Sequence, residues 1–175
     1  MRCCLQRVNI INLKNSGLEW MPIYILSVCG KAPSWVMEGF NTYTKRLPKE
    51  ISLTLKEIPA GNRATNSVSK CLELEAKHLL AAIPKQSHVI ALDEHGELWD
   101  SVQLSKKLSD WQMHSQTICL LIGGPDGFHP SIHAHVHDTW SLSKLTLPHA
   151  LIRVILAEQI YRAWTLLNKH PYHRT

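Results

Sequence analysis

No stretch of this 175-residue sequence approaches the roughly 20 consecutive apolar residues that a membrane-spanning helix requires. The first 20 residues contain two arginines but no unbroken apolar block and no small-residue cleavage site, because Asn9, Asn12 and Lys14 interrupt them. The five cysteines are scattered and form no CxxC pair, which favours reduced packing residues over a disulfide framework. These absences predict a cytoplasmic protein with no membrane partner.

Several catalytic motifs are also absent. The sequence has no GxGxxG fingerprint, no phosphate-binding lysine motif and no GxSxG elbow, so dinucleotide and nucleoside triphosphate chemistry lose support. Histidines stand at positions 129, 133, 135 and 137, and in a helix His133 and His137 would share a face at a zinc-binding spacing. No HExxH glutamate lies between them and no third ligand is evident. We therefore expect a solvated helix and no metal.

Positive charge is concentrated near the ends of the chain. The formal net charge is +5, from 19 Lys and Arg against 14 Asp and Glu. From Lys144 onward there are five bases and one acid, and three further histidines can add charge. A basic cluster of this kind suits a polyanion such as RNA, although a solvated helix face and tail account for it equally well.

Hydrophobic periodicity predicts an alternation of strands and helices. Short apolar or alternating runs predict strands over residues 23–28, 52–58, 88–93 and 117–122. Apolar residues at three- and four-residue spacing predict helices over residues 34–47, 68–83 and 148–168, and one around Leu104, Leu108 and Trp111. This order is typical of an α/β fold with a parallel sheet covered by helices. We expect one domain over residues 21–175, preceded by an extension, residues 1–20, outside the fold.

The last predicted helix carries apolar residues on more than one face, including Leu151, Ile155 and Trp164. Such a helix needs two apolar partners. We expect the sheet on one side and a second subunit on the other.

Ligands of open parallel sheets bind beyond the carboxyl ends of the strands. Three stretches fit that place: the surroundings of Leu92, the glycine loop (residues 123–127, GGPDG) and residues 140–147. Paired glycines let a ligand approach the backbone closely, although a tight turn requires glycine as well.

The chain closes on HPYHR (residues 170–174), in which an aromatic ring, two imidazoles and a guanidinium follow a helix. These groups suit base stacking, proton transfer and phosphate contact. An ordinary polar terminus is the alternative.

Four motifs, in order, carry a resemblance to a known family. They are LLIGGPDG (120–127), WSLSKLTLPH (140–149), RVILAEQIYRAW (153–164) and HPYHR (170–174), and the match extends back to about Met21 through GKAPSW (30–35) and EIPAGNR (57–63). The chain resembles the bacterial ribosomal large-subunit RNA (pseudouridine-N3)-methyltransferase family, minimal members of the knotted SPOUT class. Departures are small, such as Asp126 where Glu is common and Ala150 where Pro is frequent.

The resemblance implies an α/β fold with a C-terminal trefoil knot, an exception to the rule that folds avoid knots. It further implies S-adenosylmethionine as methyl donor, held between three knot loops without a metal. By matching positions, the cofactor-binding residues are Leu92, Gly123, Leu142, Ser143, Lys144, Leu145, Thr146 and Leu147.

The implied substrate is N3 of a pseudouridine in 23S ribosomal RNA within the assembled ribosome, and no DNA partner is expected. Members of the family are homodimers, in which the tail of one subunit is thought to complete the site of the other. The N3 proton must leave before attack, and His173 is our candidate for that transfer. Tyr172 would orient the base, and Arg153 and Arg174 would hold phosphate or developing charge.

A second hypothesis is a non-catalytic RNA-binding or ribosome-associated homodimer on the same fold. Stabilisation by added S-adenosylmethionine separates the two hypotheses, because a ligand selective for the native state raises its stability.

Deletion of residues 1–20 is expected to leave the melting temperature and the methylation activity unchanged, because this segment has no clean apolar period and no match to the family. Calorimetry and a methylation assay on a chain beginning at Met21 measure both. A melting temperature lower by several degrees would show that the segment packs on the domain.

Overall fold

The computed structural model describes residues 20–173. The predicted extension, apart from Trp20, and the two final residues lie outside the described residues, so the prediction for residues 1–20 stays a prediction. No helix within the described part of the chain is long and apolar enough to cross a membrane.

Five strands form a single parallel sheet, which confirms the predicted fold class. The strands are β1 (Met21–Val28), β2 (Ile51–Ile58), β3 (His88–Leu98), β4 (Ile118–Ile122) and β5 (Asp138–Ser141). Their order across the sheet is β2-β1-β4-β3-β5, and every neighbouring pair is parallel. The central strands β1 and β4 are almost wholly buried, as expected for a parallel sheet covered on both faces.

Four helices cover the two faces of the sheet. They are α1 (Ser34–Thr44), α2 (Val68–Ala82), α3 (Ser101–Met113) and α4 (His149–Leu167). Ile23 and Ile25 face a core shared with α1, α3 and α4, whereas Leu26 and Val28 face a second core against α2. The two-residue period of the strand separates these side chains between the faces.

Helix starts follow local capping chemistry. The Ser67 hydroxyl accepts a hydrogen bond from the Lys70 amide at the start of α2. At the start of α3, the side chains of Asp100 and Gln103 each accept a backbone N–H of the other residue, forming a capping box.

β5 was not among the predicted strands, and it follows a segment for which we expected a solvated helix. Pro130–His135 instead form a short 3-10 helix, in which residues four apart do not share a face. The ring of His137 accepts a hydrogen bond from the Val89 amide at 3.0 Å. Among residues 20–173, no group of three or more His, Cys, Asp or Glu side chains could hold a metal ion.

β3 is longer than predicted and changes register partway. Its pairing with β5 is interrupted between Leu92 and Glu97, both of which lie opposite Trp140. Gly96 lies against the β5 backbone, where a Cβ atom would come within 2.7 Å of the Trp140 carbonyl carbon. Residues 93–96 thus form a bulge within β3 at the carboxyl edge of the sheet.

Cys71 and Cys119 are fully buried, as predicted for packing residues. Burial raises the pKa of the Cys119 thiol to about 12, so this side chain is protonated at neutral pH.

α4 buries one face and leaves part of the other open. Leu156, Ala157 and Ile160 pack into the core beside α1 and α3, whereas Leu151 and Leu167 are 37% exposed. The expected second subunit and the expected trefoil knot both stay predictions.

Candidate active site

A cavity of about 360 Å³ opens at the carboxyl edge of the sheet. Its wall comes from three stretches that follow β3, β4 and β5. The lining residues are 92–95, 122–125, 127–128, 140–143, 145–147, 149 and 152. The three predicted strand-end stretches therefore meet around one space.

Seven of the eight residues predicted to bind a cofactor line this cavity. They are Leu92, Gly123, Leu142, Ser143, Leu145, Thr146 and Leu147. Lys144 is exposed and is not part of the wall. The structure thus brings these residues together, and their role in binding a cofactor stays a prediction.

The glycine loop forms a tight turn at the end of β4. The Gly127 amide donates to the Gly124 carbonyl at 3.0 Å, and Gly127 has a φ of +81°, a conformation that favours glycine. A Cβ atom on Gly123 would lie 3.0 Å from the Gly127 carbonyl oxygen and 3.4 Å from the Phe128 ring. Glycine at position 123 is therefore required for closure of the turn itself.

The stretch after β5 is held by hydrogen bonds of its own serines. The buried Ser141 hydroxyl donates to the Ser143 carbonyl at 3.1 Å, and the Leu145 amide donates to the Ser143 hydroxyl at 2.9 Å. Leu145 itself is 74% exposed. An apolar side chain thus stands in solvent at the cavity wall, where a bound ligand would cover it.

Two buried polar atoms belong to residues of the cavity wall and have no hydrogen-bond partner among the described residues. They are Nε1 of Trp140, whose ring stacks on Trp99 at 4.9 Å between centroids, and Nδ1 of His149. Unsatisfied buried polar groups are costly and rare in native proteins. These two nitrogens are therefore polar groups whose burial opposes folding.

His149 is uncharged at neutral pH. Burial lowers the pKa of its imidazole below the ordinary value of 6.5, and the positive charge of Arg153 lowers it further. Sequence analysis counted His149 only among the three histidines that can add positive charge, and its lowered pKa shows that this expectation was wrong at neutral pH. Its place at the start of α4, directly after the third strand-end stretch, was a usable signal for a place at the cavity.

Arg153 lies one turn beyond His149 on the buried face of α4. The residue is 3% exposed, and its Nε and Nη1 atoms have no hydrogen-bond partner in the part of the chain described. It does not line the cavity. Its predicted contact with phosphate or developing charge stays a prediction.

The C-terminal tail packs on its own α4. The Tyr172 hydroxyl donates to Glu158 Oε1 at 3.0 Å, its ring meets Tyr161 edge-on at 4.8 Å, and the Arg162 guanidinium lies 5.1 Å from the ring centroid. Burial and the Glu158 carboxylate raise the pKa of Tyr172 to about 12. Tyr172 does not line the cavity of its own chain.

The remaining two predicted catalytic residues, His173 and Arg174, lie near the C-terminus. His173 ends a short 3-10 turn, Pro171–His173, and nothing is described of its side chain. Arg174 lies outside the described residues. Their predicted roles are not tested by this structure.

The fold and the cavity together define an α/β protein with a cavity of small-ligand size at the carboxyl ends of parallel strands, against a glycine turn. Residues 21–173 match the model of the family described as "Predicted SPOUT methyltransferase". The chain belongs to this SPOUT methyltransferase family, which confirms the class indicated by its motifs.

Two relatives are similar over nearly the whole chain. A protein of Marinomonas sp. (strain MWYL1) named "Ribosomal RNA large subunit methyltransferase H" is 48% identical over 155 residues, which cover 88% of this chain and 100% of the relative. A protein of the same name from Hahella chejuensis (strain KCTC 2396) is 46% identical over 155 residues, covering 88% and 99%.

A solved structure supports the fold alone. The Haemophilus influenzae Rd KW20 protein described as a "probable methylase family protein" aligns with a TM-score of 0.50 and 14% identity. The alignment covers 90% of this chain and 70% of that chain.

We expect the His149 imidazole to titrate below 6.5 in an NMR pH series. Because the unfolded chain takes up this proton first, the free energy of unfolding should fall as the pH drops through 6.5 towards the folded-state pKa. Denaturant titrations of wild type and His149→Gln at several pH values measure the difference. His78→Gln, on the exposed face of α2, is the control. Equal pH dependence in wild type and His149→Gln would contradict the desolvation of His149.

Proposed function

We propose that this protein transfers a methyl group from S-adenosylmethionine to N3 of a pseudouridine in large-subunit ribosomal RNA, and that it acts on the assembled ribosome in the cytoplasm. The observation that carries the proposal is the convergence of seven of the eight predicted cofactor-binding residues on one cavity in a SPOUT methyltransferase. The names of the two relatives support ribosomal RNA as the substrate.

The cavity fits the proposed methyl donor. Its volume lies within the range of roughly 300–1,000 Å³ typical of small-molecule sites. Leu92, Leu142, Leu147 and Ile152 supply apolar wall, and the polar residues Ser143 and Thr146 line the same cavity. S-adenosylmethionine provides a methyl group already activated on a sulfonium centre. The protein must therefore chiefly position the acceptor and handle its proton.

We assign the proton transfer to His149. Pseudouridine N3 bears a proton at neutral pH, and a base is most effective when it is unprotonated at the operating pH. The lowered pKa of His149 keeps its imidazole neutral, and Arg153 one turn away favours negative charge nearby. His173, our candidate from the sequence, is retained as the competing assignment.

We further propose a homodimer in which each tail serves the site of the other subunit. Two observations support this arrangement: Tyr172 lies outside the cavity of its own chain, and apolar residues of α4 such as Leu151 are exposed. In the dimer, Tyr172 would orient the base, and Arg153 and Arg174 would bind phosphate or developing charge.

Isothermal titration calorimetry and RNA mass spectrometry test the function. Wild-type protein should bind S-adenosylmethionine, and ribosomes from a strain lacking the protein should lack one methyl group on a pseudouridine that added enzyme restores. Thr146→Trp should abolish both S-adenosylmethionine binding and RNA methylation, because the tryptophan ring would fill the cavity. Thr139→Trp, on the exposed edge of β5 and outside the cavity, is the matched control. Ribosome binding without methyl-donor binding would favour a non-catalytic RNA-binding protein.

The pH dependence of kcat tests the proton acceptor. For wild type, the rate should fall as the pH drops and His149 becomes protonated, and His149→Gln should lower kcat roughly 100-fold or more and remove this acid limb. His173→Gln is measured in parallel. If His173→Gln alone flattens the acid limb, the assignment to His149 is wrong.

A further inference from the structure

The outer side of the glycine loop is tied to a distant part of the chain by Arg63. Its Nε donates to Asp126 Oδ2 at 2.7 Å, although the two residues are 63 positions apart. Its Nη1 donates to Glu75 Oε1 at 2.8 Å and to the Gly61 carbonyl at 3.2 Å. One planar guanidinium thus joins the loop after β2, helix α2 and the glycine loop.

Glu75 anchors this arrangement from inside the protein. Its side chain is 3% exposed, and Oε1 also accepts the Gly61 amide at 2.8 Å. A buried carboxylate requires a charged partner and saturated hydrogen bonding, and Arg63 supplies the charge. The hydrogen bonds to Glu75 and then to Asp126 raise the pKa of Arg63, which is cationic under all working conditions.

The glycine loop rests directly on this ion pair. A Cβ atom on Gly124 would lie 2.8 Å from Glu75 Oε2 and 3.3 Å from Arg63 Nη2. Arg63, Glu75 and Asp126 themselves do not line the cavity, whereas Gly123, Gly124, Pro125 and Gly127 do. Arg63 and Glu75 therefore contact the loop from behind, and together with Asp126 they can influence a ligand only through the backbone of the loop.

We infer that Arg63 is a positioning residue for methyl-donor binding: together with Glu75 and Asp126 it fixes the glycine loop in its binding conformation before the ligand arrives. The inference rests on the proposed function, because it takes the cavity to be the methyl-donor site. A preorganised loop binds more tightly because less conformational entropy is lost on binding. The partly exposed Arg63–Asp126 contact contributes little to global stability by comparison.

Asp126→Asn is the decisive variant, since it removes one charge from the outer end of the network and leaves the Arg63–Glu75 pair in place. We expect roughly tenfold weaker binding of S-adenosylmethionine by calorimetry, and a KM for the methyl donor raised by a similar factor with kcat changed less than about twofold. The melting temperature should stay within about 4 °C of wild type. Asp126→Glu keeps the carboxylate and should restore binding.

Amide hydrogen exchange of the free protein gives a second readout that needs no ligand. The Gly127 amide, which donates to Gly124, should exchange roughly tenfold faster in Asp126→Asn than in wild type. Glu73→Gln is the matched control: it removes an equal charge from an exposed ion pair with Lys70 on the same helix as Glu75, and should change none of these measurements.

The outcomes separate the inference from the proposed function. If wild type binds the methyl donor and Asp126→Asn binds it equally well, the positioning role is wrong. Unchanged Gly127 exchange in Asp126→Asn also overturns it, because the loop is then held without the Arg63–Asp126 ion pair. If wild type binds no S-adenosylmethionine, the proposed function fails. The positioning role for that ligand then fails with it, even where hydrogen exchange shows that Arg63, Glu75 and Asp126 order the loop.

Discussion

The parallel direction of all five strands is the constraint on which the rest of this structure depends. It places every strand's carboxyl end at one edge of the sheet, so stretches far apart in the chain meet there. β4, β3 and β5 are neighbours in the sheet order, and the segments that follow them surround the cavity. β2 lies on the other side of β1, yet the loop after it carries Arg63 across to the glycine loop. Both halves of the sheet thus contribute to one site, one by lining it and the other by supporting its wall.

Burial also determines the chemistry that these residues can perform. Desolvation keeps His149 neutral, and the neighbouring Arg153 adds to the effect without lining the cavity. The same burial leaves Trp140 Nε1 and His149 Nδ1 without partners among residues 20–173. Hydrogen bonds left unmade inside a protein oppose folding, so burial of these two nitrogens lowers the stability of the domain.

The sequence was most informative where a local pattern determines the structure. The buried strands β1 and β4 and the apolar stripe of α2 were predictable, because the spacing of their apolar residues and the turn residues that flank them indicate the same elements. β5 was not, because it has four residues and three of them, Asp138, Thr139 and Ser141, are polar. Lys144 was predicted to bind the cofactor because the prediction covered every residue from 142 to 147. Which of these residues line the cavity depends on the folded backbone, and Lys144 does not line it. The contact of Arg63 with Asp126 spans 63 positions, and no period or motif spacing encodes it.

The docked position of Tyr172 bears on how a tail could serve a second subunit. In this chain its hydroxyl and ring are engaged by Glu158, Tyr161 and Arg162, so trans action requires those contacts to be exchanged. A hydrogen bond to a charged group contributes about 1.5–3 kcal/mol, and less where solvent reaches it. A cost of that size is small beside the gain from several phosphate contacts with ribosomal RNA. Docking on α4 is therefore compatible with the proposed shared site, because substrate binding would supply the free energy that release of the tail requires.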